Sequence, residues 1–130
     1  MLLVKTKIGP SNIHGLGLFA DQFIPKGTPV WKYQPGFDLI VDKEYLETLS
    51  EPAKLQFLKY CYINKKTNKY ILCADDARFF NHSDNPTCID SDSIPDEEGI
   101  DVAARDLESG EELTCNYKVF DASFDYKMSI

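Results

Sequence analysis

Three short stretches of the sequence combine glycines, polar side chains and a tyrosine, residue types that could bind a small molecule and orient a reacting atom. Residues 13–20 read IHGLGLFA, residues 78–83 read RFFNHS, and residues 110–117 read GEELTCNY. Glycine lacks Cβ, so its backbone can approach a bound molecule closely. Asparagine and histidine supply donors and acceptors, and a tyrosine hydroxyl can orient a reacting atom. Taken singly, each stretch is explained better by structure: a tight turn, a strand end and a packed tyrosine.

The elements around these stretches are predicted to be short strands with one helical insert. Apolar spacing of three to four residues within 42–61 indicates two short helices split near Leu49 and Ser50, with Ser50 as an N-cap and Pro52 in the first turn. Alternating or apolar runs bounded by turn residues predict strands. These runs are residues 2–4, 17–20, 30–33, 70–73, 100–104 and 113–117, with a further strand around Phe79 and Phe80. The acidic stretch 90–99 is predicted to be a solvated loop.

The composition indicates one acidic domain. The chain has 130 residues, of which 43% are hydrophobic and 12% aromatic, and its formal net charge is −7. A chain of this size and apolar content can bury one core. Because the negative field repels a phosphate backbone, we expect no direct contact with nucleic acid. The same field suits a basic partner, such as a lysine-rich peptide, although it also serves solubility alone.

The cysteines and the N-terminal residues indicate in which cellular compartment the protein is expected. Cys61, Cys73, Cys88 and Cys115 are widely spaced, and no pair forms the Cys-x-x-Cys of a zinc site, so no metal is expected. They are typical of small buried residues in a reducing compartment. No signal peptide or apolar run of membrane-spanning length is found. The expected location is intracellular, either cytoplasmic or nuclear.

In this order and spacing, the three stretches resemble the signatures of the SET-domain family of protein lysine methyltransferases. The first resembles the family's Gly-x-Gly motif, followed by an Ile-Pro-Lys-Gly-like turn at residues 24–27. The second resembles its Asn-His-Ser motif and the third its Gly-Glu-Glu-Leu…Tyr motif. The likeness runs over about residues 2–120, so residues 1–130 are interpreted as a single SET domain with a tail at 121–130.

The resemblance implies both a fold and a ligand. The fold is mostly β, a β-clip of small curled sheets with a short helical insert, in which the C-terminal segment passes under a preceding loop as a pseudoknot. The cofactor is S-adenosyl-L-methionine, and the substrate is a basic protein or peptide that carries a lysine. The implied cofactor-binding residues are His14, Gly15, Leu16 and Gly17, mostly through the backbone, with Asn81, His82 and Tyr117.

Two tyrosines are the catalytic residues that the resemblance implies. The hydroxyl of Tyr117 is expected near the transferred methyl group and the amine. Tyr62 lies upstream of Asn81 about where the family places a channel tyrosine, with Tyr60 as the alternative two residues away. Three tail aromatics either close the lysine channel or simply pack: Phe120, Phe124 and Tyr126.

The sequence also departs from the family pattern. Residues 84–87 read DNPT where the family often has Cys-x-Pro-Asn, Asn116 precedes the final tyrosine in place of Asp, and Leu16 stands between the two glycines. The cysteine-rich zinc flanks of many members are absent from this sequence, so a homodimer could complete the substrate groove. Two other hypotheses remain open: a SET-like binding module that does not methylate, and a related β-clip domain that binds sugar.

Overall fold

The computed structural model describes residues 1–91 and 98–128. Within that part of the chain the strands are β1 (Thr6–Pro10), β2 (Leu16–Ala20), β3 (Pro29–Lys32), β4 (Leu39–Val41), β5 (Tyr62–Ile63), β6 (Tyr70–Leu72), β7 (Asn81–His82), β8 (Cys88–Asp90), β9 (Ile100–Ala103) and β10 (Glu112–Cys115). The helices are α1 (Lys43–Leu46), α2 (Glu51–Tyr60), α3 (Tyr117–Phe120) and α4 (Phe124–Met128), with a 3₁₀ helix at Asp76–Phe79. The expected mostly β fold of small sheets is confirmed.

One sheet brings the three chemically suggestive stretches side by side. Its strand order is β1-β2-β10-β7, so the third stretch lies between the first and the second. Strand β10 runs antiparallel to β2, with Leu113 opposite Leu18, and parallel to β7, with Cys115 opposite His82. Two further sheets have the orders β3-β9-β8 and β4-β6-β5. The implied threading of the C-terminal segment under a loop stays a prediction.

The core explains why β2 and β10 are fixed in this register. Leu18 and Leu113 are fully buried and pack in one apolar cluster with Ile24, Val30 and Leu107. Replacing a leucine in such a core by alanine typically costs about 2–5 kcal/mol. A one-residue slip would turn these side chains to the opposite face, so burial fixes the alignment of the motifs.

The helical insert forms as the sequence predicts. Ser50 accepts a hydrogen bond from the Ala53 amide at 3.3 Å and so caps α2, with proline in the first turn. Phe57 and Cys61 pack with Leu46 in a second, smaller cluster that joins the two helices. Helix α2 ends at Tyr60, and β5 follows it and pairs antiparallel with β6.

Three local predictions were wrong. Phe79 and Phe80 do not form a strand, because Asp75 accepts a hydrogen bond from the Ala77 amide and starts a 3₁₀ helix. The strand of the third stretch ends at Cys115, since Asn116 caps α3. The first strand is β1 rather than residues 2–4. Most of the predicted acidic loop, residues 92–97, lies outside the described residues.

No helix among the described residues has the length and apolar character needed to cross a bilayer.

Candidate functional site

The side chain of Asn81 joins the first and third stretches to the second. Its amide nitrogen donates to the carbonyl oxygens of His14 at 3.1 Å and Leu16 at 3.2 Å. It also lies 3.0 Å from a carboxylate oxygen of Glu112. Three acceptors therefore share the two amide hydrogens, so Asn81 fixes the loop before β2 relative to β10.

Glu112 completes this junction, and the sequence analysis did not select it. Its carboxylate accepts from the Ser11 hydroxyl at 2.8 and 3.0 Å, in addition to the Asn81 amide. A Cβ on Gly17 would lie 2.7 Å from the Glu112 carboxylate, closer than real Cβ contacts come. A side chain at the second glycine of the Gly-x-Gly would therefore force the Glu112 carboxylate to shift from its contacts with Ser11 and Asn81. The first, Gly15, has φ +47°, which other residues rarely adopt, and faces open space.

The imidazole of His82 positions Tyr117. Its Nδ1 accepts a hydrogen bond from the Tyr117 amide at 3.1 Å, and its Nε2 lies 3.0 Å from a carboxylate oxygen of Asp84. Since Nδ1 is the acceptor, the proton belongs on Nε2, which donates to Asp84. Lys118 and then His82 hydrogen-bond to that carboxyl and lower the pKa of Asp84. With both ring nitrogens used, the predicted cofactor contact of His82 is left to its backbone.

Tyr117 joins the third stretch to the second. Its hydroxyl donates to the carbonyl oxygen of Phe80, and its ring lies 6.0 Å edge-to-face from that of Phe120. Burial raises the pKa of the Tyr117 hydroxyl well above its usual value. At neutral pH this group is a phenol that can orient a partner, and it is a poor base.

An aromatic cavity of about 610 Å³ opens beside Tyr117. Trp31, Tyr62, Tyr117 and Phe120 lie in its wall. Tyr62 packs edge-to-face against Phe120 at 5.3 Å and Trp31 at 6.4 Å, and its hydroxyl donates to Glu98 at 3.1 Å. Aromatic faces in a dry cavity attract cations and tolerate a methylated amine.

Tyr60 also lines the cavity but has different neighbours from Tyr62. Its ring packs against Phe79 at 5.6 Å, and the Lys59 ammonium and the Arg78 guanidinium lie over it. Of the two tyrosines, Tyr62 is the one in the same aromatic cluster as Tyr117. A catalytic role for Tyr62 stays a prediction.

The wall of this cavity also contains acidic side chains. Asp90, Glu98 and Asp101 line it. Burial, and next the negative charge of Asp90, raises the pKa of Asp101 to about 7. The cavity therefore combines cation-attracting aromatic faces with carboxyl groups, which suits an amine or ammonium ligand.

The structure brings most of the predicted site residues together. His14 and Leu16 contribute carbonyl oxygens, and their side chains are exposed. Among the tail aromatics, Phe120 lines the cavity, Phe124 packs on the His82 ring at 5.0 Å, and Tyr126 is 42% exposed. Besides Glu112, the sequence analysis missed the buried acid Asp121 and the Lys127 it pairs with, although both lie in the tail it singled out. In residues 1–91 and 98–128, no group of three or more His, Cys, Asp or Glu side chains could hold a metal ion.

Comparison with known proteins gives one family and two similar folds. The family model "SET domain" matches residues 15–118. A Plasmodium falciparum protein, titled as a candidate histone methyltransferase, is 20% identical with a TM-score of 0.56, over 89% of this chain and 95% of that one. A humanised mutant of the Chaetomium thermophilum Polycomb Repressive Complex 2, bound to an inhibitor, is 20% identical with a TM-score of 0.64, over 92% of this chain but 15% of that one.

Proposed function

This chain belongs to the SET-domain family, and on that premise we propose that it is an S-adenosyl-L-methionine-dependent protein-lysine N-methyltransferase. The observation that carries the proposal is the position of Tyr117. Its amide is held by His82, its hydroxyl by the Phe80 carbonyl, and its ring lines the aromatic cavity. One residue thus contacts both the Asn81-His82 segment and a cavity fitted to an amine.

The chain's own groups fit a cationic cofactor. When bound, S-adenosyl-L-methionine supplies a methyl group on a positively charged sulfur, and it also carries an ammonium group. The carbonyl oxygens of His14 and Leu16 and the carboxylate of Glu112 converge on Asn81, so this end of the site is rich in acceptors. Gly15 leaves open space there. The backbone of residues 14–17, Asn81, the His82 backbone and Tyr117 would hold the cofactor.

The aromatic cavity would receive the substrate lysine. A free lysine has a pKa of about 10.4, and only its neutral amine has the lone pair that accepts a methyl group. The aromatic part of the wall disfavours the ammonium and so lowers that pKa, whereas the carboxyl groups that also line the cavity attract the charged form and oppose this shift. The Tyr117 oxygen, which donates its proton to Phe80, keeps lone pairs that can orient the amine and contact the methyl hydrogens. Placing the reacting atoms in line supplies much of the remaining acceleration.

A basic protein or peptide is the substrate class that the charges support. The net charge of −7 and the carboxyl groups of Asp90, Glu98 and Asp101 at the cavity would attract cationic residues around the target lysine.

Methyl transfer and cofactor binding together test the proposal. The protein is mixed with radiolabelled S-adenosyl-L-methionine and a panel of basic proteins, and cofactor affinity is measured by calorimetry. We expect Tyr117→Phe to lower kcat by about 100-fold, a loss typical of one positioned hydrogen-bonding group, and to raise the cofactor Kd by less than Asn81→Ala does, because the ring that would contact the cofactor is kept. Tyr45→Phe, an exposed tyrosine in α1, serves as the control and should match the wild type.

Asn81 gives an independent arm of the same test. Asn81→Ala should raise the cofactor Kd more than tenfold, about 1.4 kcal/mol, because it releases the loop that contains Gly15. Unchanged affinity would refute the assignment of Asn81. Cofactor binding without transfer to any protein would favour a binding module, and no cofactor binding would favour the sugar-binding alternative.

A further inference from the structure

A lysine of this chain already lies in the cavity assigned to a substrate lysine. Lys127, in α4, has its ammonium nitrogen 4.7 Å from the centre of the Tyr117 ring, and its side chain lines the aromatic cavity. Only 10% of that side chain is exposed. The same nitrogen lies 2.9 Å from a carboxylate oxygen of Asp121, which is fully buried.

The carboxylate of Asp121 is fixed independently of Lys127. One of its oxygens accepts hydrogen bonds from the Ile63 amide at 3.0 Å, the Ser123 amide at 2.9 Å and the Ser123 hydroxyl at 2.5 Å. The other oxygen is left for Lys127, in an ion pair that lacks hydrogen-bond alignment. Asp121 and the face of Tyr117 therefore form a built site for an ammonium group.

We propose that Lys127 is an internal competitor for the substrate lysine: it fills the ammonium site between Asp121 and Tyr117, and a substrate lysine enters by displacing it. The inference rests on the proposed function and adds a control of access to the same cavity. Lys127 and Tyr117 line the same cavity, and the Lys127 ammonium lies 4.7 Å from the Tyr117 ring, so a substrate amine that contacts this ring competes with Lys127 for the same space.

The geometry explains why Lys127 fills the cavity without reacting. The Lys127 nitrogen is paired with the carboxylate of Asp121 at 2.9 Å, and an ammonium in such an ion pair has no lone pair to accept a methyl group. Release of Lys127 is also feasible, because α4 is only five residues long. A helix this short is not stable alone and depends on its contacts. Those contacts include Phe124 on the His82 ring and the Lys127–Asp121 pair itself.

The position of Lys127 can be followed without turnover. Protons on the lysine side chain above the Tyr117 ring should be shifted upfield by its ring current, and Lys127→Gln identifies their signal in a carbon–proton spectrum of labelled lysines. With S-adenosylhomocysteine present, deca-lysine should return this signal to the position of an exposed lysine. Deca-arginine, equally charged but unable to enter a lysine channel, should leave it in place. A signal unmoved by saturating deca-lysine would overturn the inference.

Steady-state kinetics of a Lys127 variant provide a second test of the proposal. Lys127→Gln should lower the KM for a lysine peptide at least fivefold without changing the cofactor Kd, because it removes the competing ammonium and leaves the carboxylate of Asp121 in place. Lys26→Gln, an exposed lysine in a turn, is the charge-matched control. An unchanged or raised KM in folded Lys127→Gln, or a methyl group found on Lys127, would refute the competitor role. If no protein is methylated but deca-lysine still displaces Lys127, the proposed function fails and this inference stands.

Discussion

Replacing Glu112 by alanine gives the sharpest test of the junction that holds the three stretches. The carboxylate accepts from Asn81 at 3.0 Å and from Ser11 at 2.8 Å. A hydrogen bond to a charged group contributes about 1.5–3 kcal/mol, and partial exposure of Glu112 reduces each bond to roughly half of that range. We therefore expect Glu112→Ala to lower the free energy of unfolding by about 1.5–3 kcal/mol for the two bonds together. At about 3–5 °C per kcal/mol for a domain of this size, Tm should fall by about 10 °C.

The neighbouring residue Glu111 is the matched control. It forms a surface ion pair with Arg105 at 2.9 Å, where the Arg105 side chain is 56% exposed, and it accepts a hydrogen bond from the Glu108 amide at 2.6 Å. Both contacts are at the surface, and exposed pairs contribute about 0–1 kcal/mol, so Glu111→Ala should lower the free energy of unfolding by about 1 kcal/mol and less than Glu112→Ala does. Urea unfolding of both variants measures the difference.

A double-mutant cycle with Asn81→Ala isolates the contact itself. Because the two side chains touch, their effects on unfolding should be non-additive by about 1 kcal/mol, and the same cycle measured on cofactor Kd should show coupling of the same sign. Additive effects within about 0.3 kcal/mol in both measurements would refute the view that Glu112 acts through Asn81.

Two further predictions concern Gly17 and Asp101. Gly17→Ala should lower the free energy of unfolding by about 1–3 kcal/mol, because its Cβ would lie 2.7 Å from the Glu112 carboxylate. Gly9→Ala is the control, since its Cβ would meet nothing closer than 3.8 Å, and it should lower that free energy by less. Equal losses of the two variants in urea unfolding would contradict the prediction. The raised pKa of Asp101, about 7, means that between about pH 4 and 7 the folded chain binds a proton that the unfolded chain has lost, so stability should fall as pH rises through that window. Between pH 5 and pH 8, Asp101 should lower the free energy of unfolding by about 2–3 kcal/mol. Asp101→Asn should remove this pH dependence, so an equal fall of stability with pH in the variant and the wild type would contradict the prediction.

Local signals predicted those elements whose causes are local. Ser50 and Pro52 mark the start of α2, because a cap and a first-turn proline act within one turn of helix. The same kind of signal was present but overlooked at Asn116, whose side chain accepts from the Lys118 amide and starts α3 at Tyr117. Tyr117 was expected to close a strand because the apolar run before it is strong. A cap residue directly before it outweighs that run.

The site itself depends on contacts that no local pattern encodes. Asn81 and Glu112 are 31 residues apart, and Ser11 and Glu112 are 101 apart. The convergence of the three stretches was expected only because their motifs resemble those of a known family, and the contacts of Glu112 with Ser11 and Asn81 were not expected. The pairing of Asp121 with Lys127 is close in sequence, yet its burial depends on the Ile63 amide, 58 residues away. A charged pair six positions apart in a polar tail gives no sign of such burial.

The position of Tyr117 depends on groups that need never touch a substrate. Its amide is held by His82, its hydroxyl by the Phe80 carbonyl, and its ring by Phe120 and the ammonium of Lys127. On the proposed function, a positioning group that is already fixed at its amide, hydroxyl and ring would lose little entropy when the reacting atoms align. The Lys127 contact differs from the others, because it both supports the ring and fills the cavity. If a substrate lysine replaces Lys127, its own ammonium or amine takes over that support, so the ring is held in both states. Tyr117 therefore has a full set of contacts before and after exchange, and displacement of Lys127 would alter access to the cavity more than the placement of the hydroxyl.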